Sequence, residues 1–155
     1  VIDTVGPRVV GVSLAPKTNS ATLVFWDDRA GLDPARLANL SAYSLAKRQT
    51  KGVGPTYAAG AASVGAATPA GTRAVQLAFR SAGKMRSAKY LLGTAPGAIA
   101  DLAGNALDAT YRFPSGVTTQ ASGRFAALFN VDARGKASGP LDPNPAPVKP
   151  RKRGR

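Results

Sequence analysis

The sequence predicts an all-β chain, an immunoglobulin-like β-sandwich with one short helix in its B–C connection. Three observations carry that expectation. Gly 17 and Pro 12 provide turn residues throughout the 155-residue chain. Short alternating apolar segments recur between these turns, and no long segment keeps a helical period. With 44% apolar but only 6% aromatic residues, the chain can build one core, mainly of Val, Leu, Ala and a few Phe, so one domain is expected.

The elements follow in order. "VIDTVGP" reads as an extended lead-in, because Pro7 holds Gly6 out of the helical region. "RVVGVSLAP" alternates with Val10, Val12 and Leu14 on one face and Val9, Gly11 and Ser13 on the other, a strand. "KTNS" is a polar turn. "ATLVFW" is a second strand, apolar on both faces and therefore central, forming a hairpin with the first. In "DDRAGLDPARLANL", Asp33 before Pro34 is a helix-start signature, and Leu37 and Leu40 allow about two turns at most. "AYSLAKR" returns to strand with Tyr43 and Leu45 inward, and residues 49–71 read as a long loop with a weak strand near 57–64. "TRAVQLAFR" gives the clearest alternation, Val75, Leu77 and Phe79 against Ala74, Gln76 and Ala78. "KYLLGT" is another strand. The last places Phe125, Ala127, Phe129 and Val131 opposite Ala126 and Leu128. From 132 to 155 the periodicity ends, and a Pro-rich, basic tail without fixed structure is expected.

The order of motifs within residues 7–131 resembles a known family. "LVFWDDRAGLDPARLANLSAYSL" is similar to the part of bacterial Ig-like repeat domains where a strand runs through an acidic turn and "LDPAxL" into an "xYxL" strand. "TRAVQLAFRSAGKMRSAKYLLGTAPGAIADLAGNALD" resembles their later half, ending in "I.D.AGN.LD", and "YRFPSG" with a closing "F.A.F.V" strand resembles extended versions. The opening "VIDTVGPRVVGVSL" is similar to the lead-in between successive repeats, making residues 1–6 a linker stub. The resemblance implies an S-layer or adhesin type of module from a large bacterial cell-surface or extracellular protein, a spacer or adhesive unit and not an enzyme. One position departs: Arg124 in "TTQASGRF" stands where such domains usually carry Gly and Asp, so an acidic contact is lost.

Composition independently narrows the chemistry. The chain has no Cys, no His and no Glu, and its eight acidic residues are all Asp. Thiol catalysis, a Ser-His-Asp triad and zinc sites built on Cys or His are excluded within it. No apolar stretch approaches the roughly 20 residues of a membrane span, and the opening at Val1 reads as the start of a fragment or processed product.

Two candidate sites remain. In an immunoglobulin topology the B–C and F–G connections share one end. Asp27, Asp28 and Asp33 from the first and Asp101, Asn105 and Asp108 from "AIADLAGNALD" could supply an oxygen-only calcium site, since Ca²⁺ takes six to eight oxygens. The competing structural reading makes Asp28 and Asp33 caps of a turn and a helix start, and Asp101 and Asn105 turn formers around Gly104. An acid–base role for Asp101 and Asp108 lacks an apolar pocket to raise one pKa. The second candidate is the run Lys149, Arg151, Lys152, Arg153 and Arg155, in a chain of net charge +13. It could attract an anionic envelope polymer or glycan, or serve only as a solvated tail. Nucleic acid ranks last among these partners, because no aromatics interleave for base stacking. The alternative to a surface module is thus a small basic protein that binds polyanions through its tail. Tyr90 is a candidate tyrosine corner, and Asn39-Leu40-Ser41 matches a glycosylation sequon by pattern.

Overall fold

Alternation and turn chemistry place ten antiparallel strands among the described residues. The structure is a computed structural model and describes residues 5–28, 31–48, 54–65, 71–80, 85, 87–120 and 123–143. The strands are β1 (Arg8–Ala15), β2 (Ser20–Trp26), β3 (Tyr43–Arg48), β4 (Thr56–Val64), β5 (Thr72–Phe79), β6 (Ala88–Thr94), β7 (Thr110–Phe113), β8 (Gly116–Thr119), β9 (Ala126–Val131) and β10 (Ala137–Leu141). One short helix, α1 (Pro34–Leu37), lies between β2 and β3.

Eight strands form one sheet in the order β1-β2-β5-β4-β3-β6-β9-β10, and β7-β8 pair separately as a hairpin. Because β4 pairs with both β5 and β3, the sheet is continuous from one half to the other. It curls so that its inner faces enclose a single core. Leu23, Phe25, Val75 and Leu77 come from one half, and Leu45, Tyr90, Leu92 and Phe129 from the other. The terminal strands of the order, β1 and β10, also touch. The chain is therefore all-β, in a strongly curled, nearly barrel-like sheet.

Several expectations match this arrangement. β2 lies between β1 and β5, as its two apolar faces require. Val75, Leu77 and Phe79 of β5 and Ala127, Phe129 and Val131 of β9 point into the core. Asp33 caps α1, its Oδ1 accepting the Ala35 N–H at 3.0 Å with Pro34 in the first turn.

Others are corrected. The face assignment of β1 fails at its start. A register shift between Val9 and Gly11 opposes Val9 to Phe25 and Gly11 to Val24. The additional residue is a β-bulge, which turns the side chain beside it away from the core. Val9 and Leu14 are buried, whereas Val10 is 51% exposed. The weak strand of the 49–71 loop is nine-residue β4, which joins the two halves of the sheet. The reading of 132–155 as a tail is corrected at its beginning: "ASGPL" forms edge strand β10 on β9. Its small residues carry no alternation, and pairing with β9 makes them a strand. Pro140, which has no N–H to donate, suits an edge.

Candidate functional site

The B–C and F–G connections do meet at one end of the sheet. Gly31 carries its carbonyl to the Leu102 N–H at 2.9 Å, and Leu32 bridges Asp101. The Asp27 N–H at the end of β2 donates to the Gly71 carbonyl at 2.9 Å. Gly71 has φ +83°, and a Cβ there would lie 2.6 Å from the Asp27 carbonyl oxygen, so only glycine fits.

Within this junction each predicted acidic residue except Asp28 has a local task. Asp27 is buried, and its Oδ2 accepts the Gly31 N–H at 2.8 Å. Asp101 is also buried: Oδ1 accepts the Asn105 N–H at 2.9 Å and Oδ2 accepts from Asn105 Nδ2 at 3.0 Å. The Asp101 carbonyl takes the Gly104 N–H, with Gly104 at φ +89°, and the Asp101 N–H donates to the Asn105 carbonyl. This is a side-chain-locked turn of the kind Asp and Asn favour. Asp108 Oδ1 accepts from the Thr110 N–H at 3.0 Å and its hydroxyl at 2.7 Å. Asp33 caps α1 and makes a loose surface pair with Arg36, 3.7 Å away, and Asp28 is exposed. The fold therefore brings the two acidic connections together. Among the described residues no group of three or more acidic side chains is placed to hold a metal ion. Lys149, Arg151, Lys152, Arg153 and Arg155 lie outside the described residues.

Asn39 of the sequon pattern finds a clear place, and Tyr43, expected only to face inward, finds another. Asn39 Oδ1 accepts from the backbone N–H and hydroxyl of Ser41, at 3.2 and 2.8 Å, and so caps the short turn into β3. Tyr43 makes the kind of bond expected of a tyrosine corner: its buried hydroxyl donates to the Leu37 carbonyl at 2.6 Å. Burial pushes the Tyr43 phenol well above its ordinary pKa. Tyr90 is buried in β6 opposite Lys47 and Phe129.

A second feature was not anticipated. Pro7 and Asp108 are joined by a 2.7 Å bond from the Asp108 N–H to the Pro7 carbonyl, and Arg8 bridges Asp108 in parallel. Gly6 packs against the Ala106 carbonyl with no room for a Cβ. Beside this clamp β1 and β7 stay close, and a groove of about 360 Å³ is lined by Arg8, Val9, Val10, Thr110, Tyr111, Arg112 and Val117. The β7-β8 hairpin is held by Tyr111 and Phe113 packing on each other and on Phe125, and by a 2.6 Å bond from the Thr118 hydroxyl to Asp142. Part of this was legible. "TYRFPSGVTT" alternates on both sides of a Pro-Ser turn, a hairpin signal. The outward turn of Val10 was not.

Comparison with protein-family models, with characterised proteins and with solved structures gives no match. Among the described residues no helix is long and apolar enough to cross a membrane.

Proposed function

We propose that the chain is a non-catalytic structural or adhesive module of a bacterial surface or secreted protein, an immunoglobulin-like domain set between neighbouring domains of one polypeptide. The observation that carries this reading is the strand order. The run β1-β2-β5-β4 followed by β3-β6-β9 has the succession A-B-E-D and C-F-G of immunoglobulin domains. Pairing of β3 with β4 joins the two sets here, which is the departure from two separate sheets. The motif order of residues 7–131 supports the same reading. So does a side-chain inventory without His, Cys or Glu, which leaves few routes to acid–base or metal chemistry.

As a spacer, the module's work is mechanical: a stiff β unit fixes the separation of whatever it joins. Single-molecule pulling on four tandem copies tests it. Four separate cooperative events are expected, each lengthening the chain by roughly 3.3–3.6 Å per residue released. Gradual extension at low force defeats the spacer role. Labelling intact producing cells with a membrane-impermeant amine reagent tests placement, and a product protected until lysis defeats the surface reading.

The basic run at 149–155 favours the second reading, a small protein that holds polyanions through its tail. Binding to DNA and to an anionic glycan, each at two salt concentrations, separates the two. If deleting residues 149–155 leaves binding unchanged, the tail is a bystander.

A further inference from the structure

We infer that one rim of the large sheet is a docking site for a linear anionic polysaccharide, one charged group of which seats between Lys17 and Arg134. Four observations combine.

The first is where the strands turn. Antiparallel register sets the end of β1 beside the start of β2, and that beside the end of β5 and the start of β4. The end of β3, the start of β6, the end of β9 and the start of β10 follow in line. β1 and β10 touch, and Gly135 of the β9-β10 turn faces the Lys17 side chain, so these ends form one rim. Pro7 before β1 and Asp142 after β10 lie at the opposite rim, bonded to Asp108 and Thr118.

The second is charge. Lys17, Arg48, Arg80, Lys89, Arg134 and Lys136 are exposed at this rim. Among the described residues none of them forms an ion pair. Arg48 and Lys89 are direct cross-strand partners, and like charges so placed are unfavourable, which a bound anion relieves. Asp132 is the one described carboxylate here. Its Oδ1 accepts the Arg134 and Lys136 N–H groups, each at 2.9 Å, so it shapes the turn that carries both cations.

The third is a cavity of about 190 Å³ at the same rim, lined by Lys17 and Arg134 with Met85, Ser87 and Asp132. Clefts that enclose a whole small ligand run to roughly 300–1,000 Å³. This one suits a single charged group and leaves the rest of a longer molecule outside. Two residues beyond Ser87 stands Lys89, with Arg48 across from it, placed for the next charges of the same polymer.

The fourth is what the rim lacks. The exposed large apolar side chains, Val5, Val10, Leu40, Leu102, Val117 and Leu141, lie toward the other rim, so a bilayer would find no apolar anchor. No aromatic side chain is among the exposed ones, so nucleic-acid bases would find nothing to stack on. A second copy, itself carrying +13, would be repelled. A polymer of acidic sugars uses the cavity and the cations in turn. Such docking would be the adhesive form of the proposed function, on which it rests.

The test uses the full chain and fluorescein-labelled polygalacturonate, followed by fluorescence anisotropy. Saturable binding is expected, weakening as added salt screens the charges. Lys17→Glu with Arg134→Glu should weaken it at least tenfold, and Arg48→Glu with Lys89→Glu at least threefold. Arg112→Glu with Arg124→Glu, exposed at the other rim, should leave it within twofold. The loss caused by the Lys17 and Arg134 substitutions should be the same when residues 149–155 are deleted. If circular dichroism shows that the first pair disturbs folding, Lys17→Gln with Arg134→Gln replaces it, with at least a threefold loss expected. The proposal is overturned if polygalacturonate does not bind, or if the rim pairs weaken binding no more than the Arg112 and Arg124 pair. Loss on tail deletion with no effect of the rim substitutions also overturns it. Tighter rim-dependent binding of single-stranded DNA of equal charge overturns it in favour of nucleic acid. Rim-dependent binding of phosphatidylglycerol vesicles without polygalacturonate binding overturns it in favour of a lipid surface. None of these results bears on the pulling experiment, so the spacer role stands or falls separately.

Discussion

At the residue scale, buried polar atoms are the sensitive points, because each was removed from water only by gaining a specific partner. Asp101 holds both the N–H and the amide of Asn105. Asp101→Ala is expected to cost about 1–3 kcal/mol in urea unfolding, since it leaves the half-buried Asn105 donors without this partner. Asp28→Ala, at an exposed site, should stay within about 0.5 kcal/mol. Similar losses at both positions would show that the turn at 101–105 is not held by its aspartate. Tyr43 gives a pH signature. Its phenol is raised by burial, so the folded state keeps the proton to higher pH than the unfolded chain, whose tyrosine titrates near 10. The resulting stability is complete below about pH 10 and falls as pH rises beyond it. Tyr43→Phe should lose about 1 kcal/mol at neutral pH, with the Leu37 carbonyl left without this donor. It should also flatten the alkaline decline. An unchanged alkaline slope would assign that decline to other groups.

The elements differ in how they are secured. β2, β5 and β9 each pair on both sides and point unbroken apolar rows inward, so they are held by both ladders and core. The β7-β8 hairpin stands outside the large sheet, and its buried anchor is Phe113 packed against Phe125 and Tyr111. Phe113→Ala should cost about 3–5 kcal/mol by the usual size of such truncations. The hairpin should lose hydrogen-exchange protection before β2 and β5 do. Uniform loss across the sheet would mean that the hairpin and the sheet unfold as one unit. The two edge strands are each made irregular, β1 by its bulge and β10 by a register shift around Pro140. Irregular edges discourage unplanned edge-to-edge pairing, and on β1 the same bulge forms a wall of the groove.

On the scale of the whole molecule, charge and metal response are the open physical variables. Bonds to N–H and hydroxyl donors already engage Asp27, Asp33, Asp101 and Asp108. Among the described residues no three acidic side chains come together to hold a cation, so millimolar Ca²⁺ and a chelator should give the same melting temperature. A shift of several degrees that reverses with chelator would restore the oxygen-only site.

How much was legible follows from the range of each signal. The cap at Asp33-Pro34, the central place of β2 and the inward rows of β5 and β9 are local patterns, decided within a few residues by backbone geometry and a period of two. The acidic turn formers at 101–105 were legible for the same reason, since Asp, Gly and Asn act on their own backbone. The absence of His, Cys and Glu fixed from composition alone which chemistries are closed. Tertiary structure decided the rest. Val10 points outward because a bulge forms against Val24 and Phe25, and Ala137–Leu141 is a strand because β9 offers an edge. The groove beside β1 exists because a bridge joins Arg8 to Asp108, 100 positions away, and so sets β7 next to β1. Pairing partners and register depend on residues far away in sequence, and no local period encodes them.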